Sequence, residues 1–477
     1  MTSRSRLSRG AAVFALSGAV LSYCWAFPGV ASAQAGRPAL PPAFLGGVPD
    51  GKVDPQPLRL TLADAVARGL DHNLGALLAE QNVEAAEGTR AKVLADLLPQ
   101  VSADSFFTRQ TLSLAAFGFS FPGSPTIIGP FQVLDARAKI KQTLFDWSLI
   151  EKKRAASSTL EATRQTYQDA RGLVVLVCGN LYLQAVATES RVAAVEAQVE
   201  AARSIYQLAD DRHTAGFVPG IDALRSQVQL QSQQQRLIAA KNDQAKQKLA
   251  LARAIGLPPG QEIELVDRVP YAELRALPLP EALQLALSTR ADIKAAAARV
   301  EAAKETLRSV RGEKLPSLIG SADYGEIGNN SGNLNHTFNY TLLLKIPIFE
   351  GGKVEAKAAE AEAALKQREA ELADLSSRAD FEVRSALLDL EAAAQRVNVA
   401  DATRNLAEQA LTQGKDRFSA GAAGSIEVVQ AQEAVATAED SYISSLYDHN
   451  AAKAALALAL GVAEPAYLKF LRGESGR

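Results

Sequence analysis

The chain has 477 residues, 47% of them hydrophobic, with 51 basic and 53 acidic side chains and a formal net charge of −2. A balance so close to neutral leaves no electrostatic footprint for nucleic acid. The four histidines (His72, His213, His336, His449) lie far apart, so no ligand-spaced pair for a metal emerges.

The N-terminus carries Arg4, Arg6 and Arg9 without an acid, then an apolar run from Ala11 to Val30 broken by Ser17, Ser22 and Pro28. This is the pattern of a secretory signal, and Ala31-Ser32-Ala33 supplies the small residues of a cleavage site. Residues 1–33 are therefore expected to be a signal peptide, and the mature chain to start at Gln34. Its removal would leave 48 basic against 53 acidic residues, a balance of −5. Leu21-Ser22-Tyr23-Cys24 resembles a lipoprotein box, but the bulky Tyr23 argues against lipid on Cys24. Cys178 then stands alone, which rules out an internal disulfide, a zinc knuckle and a CxxC pair. No later apolar run reaches the roughly 20 residues of a membrane helix, so membrane entry would have to use strands.

Residues 34–57 are rich in Pro and Gly and read as an extended leader. Gly46 through Gly51-Lys52 has the spacing of a phosphate loop, but Val53 replaces the hydroxyl residue that would hold magnesium. Beyond the leader the sequence runs twice. Leu60 to Ala65 returns as Leu277 to Ala282, and Leu98-Pro99 as Leu315-Pro316, at an offset of 217. Leu144-Phe145-Asp146 returns as Ile348-Phe349-Glu350 at 204, and Ala215-Gly216 as Ala420-Gly421 at 205. The offset shrinks between Pro99 and Phe145, so the first copy holds a longer excursion there. The expected division is a first repeat over 58–262, a linker over 263–276, a second repeat over 277–463 and a C-terminal tail over 464–477.

Each repeat reads as a medium helix, a strand pair (100–145 and 317–349) and two long helices. The helices gain support from proline-free stretches, Ser148 to Thr214 and Gly352 to Ser419, long enough for roughly 100 Å of helix. Val383, Leu387, Leu390, Ala394 and Val397 alternate at four and three residues, the seam of a coiled coil, and Val192, Val195 and Val199 follow suit. Cys178 sits in an apolar stretch and reads as a packing residue.

Period-two alternation marks the strands. Leu134, Ala136, Ala138, Ile140 and Leu144 oppose Asp135, Arg137, Lys139, Lys141 and Thr143; Phe338, Tyr340, Leu342, Leu344, Ile346 and Ile348 oppose Asn339, Thr341, Lys345 and Pro347. Strands with one apolar and one charged face are the signature of a membrane β-barrel. The links Phe117 to Pro130 and Asn329 to Asn335, rich in turn residues, read as hairpin loops at one rim. Trp147, where strand meets helix, suits an interfacial aromatic belt. Four strands cannot close a barrel, because an open edge in lipid costs several kcal/mol per unpaired backbone group, so copies must associate.

The duplicated frame, the signal sequence and the run Lys345-Ile346-Pro347-Ile348-Phe349-Glu350-Gly351-Gly352-Lys353 together resemble the TolC-type outer-membrane efflux proteins, over about Leu58 to Gly461. The resemblance singles out Pro347, Phe349, Gly351 and Gly352 as a strand–helix junction motif. It implies a mainly α chain with membrane β: a duplicated long-helix coiled-coil protomer giving four strands to a trimeric 12-stranded β-barrel and an α-helical periplasmic tunnel. It also implies a passive exit duct for tripartite efflux or type I secretion. Its partners would be a periplasmic adaptor, an inner-membrane RND or ABC transporter and outer-membrane lipid, with no cofactor and no enzymatic site. The tip that such partners open would comprise Gly216, Phe217, Asp222, Phe418, Gly421, Glu427 and Gln430. Here Gln430 stands where the family has a second acid, and Ala423 where some members have a latching arginine. The competing reading is a periplasmic coiled-coil scaffold without a pore, against which the amphipathic strands argue.

Overall fold

Asn73 and Arg290 interrupt what the sequence suggested was one medium helix in each repeat. The computed structural model, which describes residues 42–118, 123, 125–267, 271–274, 277–329 and 333–474, shows two helices in each place. In the first repeat they are α1 (Leu62–His72) and α2 (Leu74–Ala95), preceded by the short strand β1 (Leu58–Leu60). Thr61 caps α1 in a full capping box with Asp64, and Asn73 caps α2 through the amide of Gly75. Strands β2 (Gln100–Ser113) and β3 (Ile127–Phe145) follow, then α3 (Trp147–Thr214), α4 (Gly220–Ala254) and β4 (Ile263–Leu265). The second repeat has α5 (Leu279–Thr289), α6 (Ala291–Gly312), β5 (Ser317–Gly328), β6 (Leu334–Lys345), α7 (Lys353–Ser419) and α8 (Ser425–Ala459), and α9 (Ala463–Leu471) closes the chain. Pro41–Arg477 make one compact unit. The expected signal peptide, Cys24 and the first residues of the leader lie outside the described residues.

Several expectations need correction. The described part of the leader is not merely extended: Pro42–Leu45 form a 3-10 turn, and Gly47 bridges to Asn73. The linker holds β4, which pairs in parallel with β1. The tail is a docked helix, with Tyr467, Phe470 and Leu471 at most 3% exposed, because its apolar residues recur at helical spacing. β3 starts seven residues ahead of Leu134. β6 stops at Lys345, so Ile346 and Ile348 are not strand residues; Pro347, without an N–H, ends the ladder.

The two long helices, of 68 and 67 residues, have the lengths expected from the missing prolines. Their seam is shifted by one position. Val383, Ala386, Leu390, Ala393, Val397 and Ala400 are buried at alternating spacings of three and four, whereas Leu387 and Ala394 are only half-buried. Alanine at the seam lets neighbouring helices approach closely, and larger side chains move to its flanks. Contrary to the sequence reading, α3 does contain a stretch apolar enough to cross a membrane by length and composition. It is spent on the core. Val174, Val175, Cys178, Tyr182 and Leu183 are at most 2% exposed and pack with Leu60, Ala65, Leu251, Ile255 and Tyr467. Burial pushes the Cys178 thiol up to about 12, which suits a packing residue.

The four long strands form one antiparallel sheet in the order β2-β3-β5-β6, so the hairpins of the two repeats are joined through β3 and β5. Outside the sheet, α3 packs against α6 and α8 of the second repeat as well as α2 and α4 of its own.

Candidate functional site

Residues directly opposite one another in a sheet share a face. The register therefore puts Val101, Phe107, Leu134, Ile140, Tyr324, Phe338, Tyr340, Leu342 and Leu344 on one side. Phe338, Tyr340 and Leu342 are 68%, 77% and 68% exposed, a bare apolar surface much broader than a water-facing sheet carries. Arg109, Glu326 and His336 also fall on this side, toward the loops, and the remaining sheet charges lie on the opposite one. Arg137 donates to Asp135 at 2.8 Å and to Asp323 at 2.6 Å, and Lys139 meets Asp104 at 2.9 Å, an ion-pair ladder running across three strands. Such a sheet is built to separate hydrocarbon from water.

The junctions between sheet and helices differ in the two repeats. In the first, Asp146 caps α3 by accepting the Leu149 amide at 3.1 Å, and Trp147 is the first helical residue. A β-carbon on Gly312 would come within 2.8 Å of the Trp147 ring, so the end of α6 approaches this junction closely. In the second, Pro347 is followed by Ile348 and Phe349, 94% and 87% exposed, and by two left-handed glycines, Gly351 (φ 63°) and Gly352 (φ 78°). The glycine pair reverses the chain where a side chain would be strained, and Gly352 stands at the N-cap of α7.

At the other ends of α3 and α7 the chain reverses twice in the same way. Gly216 (φ 77°) and Gly421 (φ 74°) follow the last helical turns, and each turn returns amides to the helix it leaves. Gly216 N–H bonds His213 and Phe217 N–H bonds Arg212; Gly421 bonds Phe418 and Ala422 bonds Arg417. This is the left-handed helix stop that only glycine makes without strain. The predicted tip residues then separate. Phe217 is 81% exposed, whereas Phe418 is buried with Ile205, Ala209 and Val428. Gln430 is exposed. Glu427 lies 3.3 Å from Arg417 across its own hairpin, an exposed pair worth at most about 1 kcal/mol. Asp222 is mostly buried instead: it accepts the Ser425 hydroxyl at 2.5 Å and thus ties the start of α4 to the start of α8.

Two residues that sequence reasoning missed hold the two hairpins together. Arg212 donates to the carbonyls of Phe418 and Ser419 at the end of α7 and stacks over the Phe418 ring at 5.3 Å. A cation at a helix C-terminus satisfies carbonyls that have no helical partner. Glu433 on α8 accepts from Gln229 at 2.6 Å, Gln233 at 3.3 Å and Arg236 at 2.7 Å, all on α4. Burial works against its charge, but the bonds from Gln229 and Arg236 outweigh it and hold the carboxyl below the usual range. The repeat offset was the available signal for Arg212, since 205 residues separate it from Arg417. Among the described residues no group of acids, histidines or cysteines is placed to hold a metal.

A sheet with one hydrocarbon face, continuing into hairpins of very long helices, defines a protomer of the outer-membrane channel fold. The chain belongs to the outer membrane efflux protein family, whose model matches residues 68–257 and 282–462, once in each repeat. It is 24% identical over 415 residues to the pyoverdine export outer membrane protein OpmQ of Pseudomonas putida, covering 83% of this chain and 84% of that one. It is 22% identical over 355 residues to the alkaline protease secretion protein AprF of Pseudomonas aeruginosa, covering 70% and 72%. Among solved structures, the Vibrio cholerae outer membrane protein VceC superposes with a TM-score of 0.73 at 20% identity, covering 84% of this chain and 96% of that one. The Campylobacter jejuni CmeC outer membrane channel gives 0.73 at 17%, covering 87% and 90%.

Proposed function

We propose that this chain is one of three copies of an outer-membrane exit duct serving efflux or type I secretion. Three four-stranded sheets close a 12-stranded barrel in outer-membrane lipid, and the long helices line a tunnel into the periplasm. A periplasmic adaptor and an inner-membrane RND or ABC transporter dock at the hairpin tips and open them; the duct itself is a passive conduit. The relatives named for pyoverdine export and for alkaline protease secretion support this class without fixing the cargo.

The observation that carries the reading is the sheet. Its apolar face is bare, its charged face is ion-paired, and its two edge strands β2 and β6 are unpaired within the chain. An open edge and a bare hydrocarbon face together suit lipid and further copies, and neither suits a soluble rod. The tip reading rests on Glu427, an acid in the first turn of α8 beside the Gly421 turn, with Gln430 on the same helix and Asp222 joined to it through Ser425. Three copies of Glu427 facing one another would focus a negative potential at the mouth.

The test is recovery of the protein in the outer-membrane fraction, its native mass in mild detergent and its conductance in planar bilayers. The expected result is a conducting trimer. Recovery in the soluble periplasm, as a scaffold would give, overturns the proposal.

A further inference from the structure

Roughly 15 to 30 Å along the helices from the Gly216 and Gly421 turns, the two long hairpins leave a cavity of about 160 Å³ between them. Ala194, Ala197 and Ala201 on α3, Leu411 on α7 and Val435 on α8 form its walls. The alanines keep the space open: 205 residues on, α7 carries Val399 and Leu406 at the positions of Ala194 and Ala201.

Three acceptors line it. Gln233 on α4 is 1% exposed, and its Nε2 donates to Glu433 at 3.3 Å, which leaves Oε1 as the unbonded end of the amide. Gln432 on α8 is 6% exposed, and its Oε1 is likewise without a partner. A buried amide oxygen left unbonded is costly, so two at one cavity mark a place built for a donor. The third acceptor is the half-buried carboxylate of Glu439 on α8. Burial pushes its pKa up, the Arg404 charge works against this, and Glu408 adds to it. Arg404 makes no ion pair with it: the guanidinium donates to Asp401 at 2.8 Å and stacks over the Tyr442 ring at 4.3 Å. Neither Gln233 nor Glu439 is repeated, since their counterparts are Ala438 and Gln234.

We propose that this cavity binds a small organic cation: an ammonium group on an apolar body about the size of a benzene ring. An ammonium brings three N–H donors to the three acceptors and a positive charge to the Glu439 carboxylate. An apolar cavity of about 150 Å³ takes up benzene, so the walls set the size of the body. Water satisfies the amide oxygens but gains nothing from the alanine, leucine and valine walls. A bare calcium ion takes about six to eight oxygens, more than two amides and one carboxylate offer. The bound cation touches both hairpins, so it stabilises their association over any arrangement that parts them. The site lies within one chain and does not depend on the number of copies.

Calorimetric titration of the detergent-solubilised protein with benzylammonium tests the site, with benzyl alcohol as its uncharged near-isostere. One saturable site per chain is expected, with binding about tenfold or more weaker for benzyl alcohol and for the Glu439→Gln variant. Ala201→Leu, which gives α3 the residue α7 has at Leu406, should abolish binding while the protein melts as before. Glu439→Gln alone decides if Ala201→Leu fails to fold. Benzylammonium should also slow amide exchange beside the cavity in both hairpins, because one ligand bridges them. No saturable binding to the unsubstituted protein, equal binding of benzyl alcohol, or full-strength binding by the folded variants overturns the proposal. Slowed exchange in only one hairpin overturns the bridging.

Discussion

In the first repeat the break between the two short helices is held by Asn73, fully buried, which caps α2 and donates to the carbonyls of Phe44 and Ala254. In the second repeat the same place is held by Arg290, 8% exposed, which reaches Asp292 and Glu382 at 2.6 Å and the carbonyl of Ala459. Ala254 and Ala459 are themselves counterparts, each closing the second long helix of its repeat. The position is thus defined by its acceptor, a helix-terminal carbonyl that must be satisfied, and the side chain is free to change if it brings its own partners. A neutral amide needs only carbonyls; a guanidinium needs carboxylates as well, and here draws them from α6 and α7.

The largest effect expected is therefore from Arg290→Ala. It strands Asp292 and Glu382 near one another and should cost about 3–5 kcal/mol, whereas Asn73→Ala, which strands only carbonyls and a cap, should cost about 2–3. Thermal melting of the detergent-solubilised protein ranks the two, and a reversed order would mean that the carboxylates relax into solvent.

Next in size is the glycine after each long hairpin. Gly256 (φ 64°) and Gly461 (φ 71°) are both left-handed, and a β-carbon would come within 2.5 Å of the Val48 carbonyl or 2.8 Å of the Arg290 backbone. Alanine at either should lower stability by about 2 kcal/mol or more. The Gly256 variant should also loosen the segment around Val48, seen as faster amide exchange at Asp50, whose N–H bonds the Gly256 carbonyl.

Third is an acid sensitivity confined to the second repeat. His449 is fully buried with both ring nitrogens unbonded, and burial, helped by the Lys453 charge, pushes it down to about 4. Its pKa is lower folded than unfolded, so its contribution to stability is complete above 6.5 and is lost as the pH falls toward 4. Gln244 is the counterpart in the first repeat. His449→Gln should flatten the fall in melting temperature between those pH values, and an unchanged slope would assign it to other groups.

The smallest effect concerns the tip. Glu427→Gln should weaken cation preference and block by trivalent cations only a few-fold, because Arg417 already offsets part of its charge. Glu371→Gln, on α7 and paired with Arg368, should change neither. Equal behaviour of the two variants in planar bilayers would reduce Glu427 to a helix-terminal charge.

What the sequence made legible was whatever depends on period or on a residue with a unique backbone. Alternation along β3 and β6, missing prolines in α3 and α7 and the tip glycines each report local geometry directly. The seam lies one position from Leu387 because close helix packing selects the smaller Ala386, and Ala393 follows it in place of Ala394 by the same spacing, where two adjacent alanines give no size signal. The breaks at Asn73 and Arg290 carry no proline, and the helical spacing of apolar residues resumes at once with Leu74 and Ile293, so periodicity does not report them. Arg212 and Asp222 went unassigned to their contacts because their acceptor and donor lie about 200 residues away, on backbone or on a serine that carries no motif.

The first hairpin outgrows the second: of the residues by which β3 exceeds its counterpart β6, Ile127 to Gly129 extend beyond the start of β6 at the rim, about 10 Å along the strand, and the rest lie at the helix end. In the proposed ring of three copies, longer and shorter hairpins would alternate, so the outer mouth would be a crown of three posts on a wall that is nearly six-fold. For anything that approaches the cell from outside, an antibody or a phage fibre, such a ring would offer three identical handholds at fixed spacing, and a three-armed binder would gain by avidity what a single arm lacks.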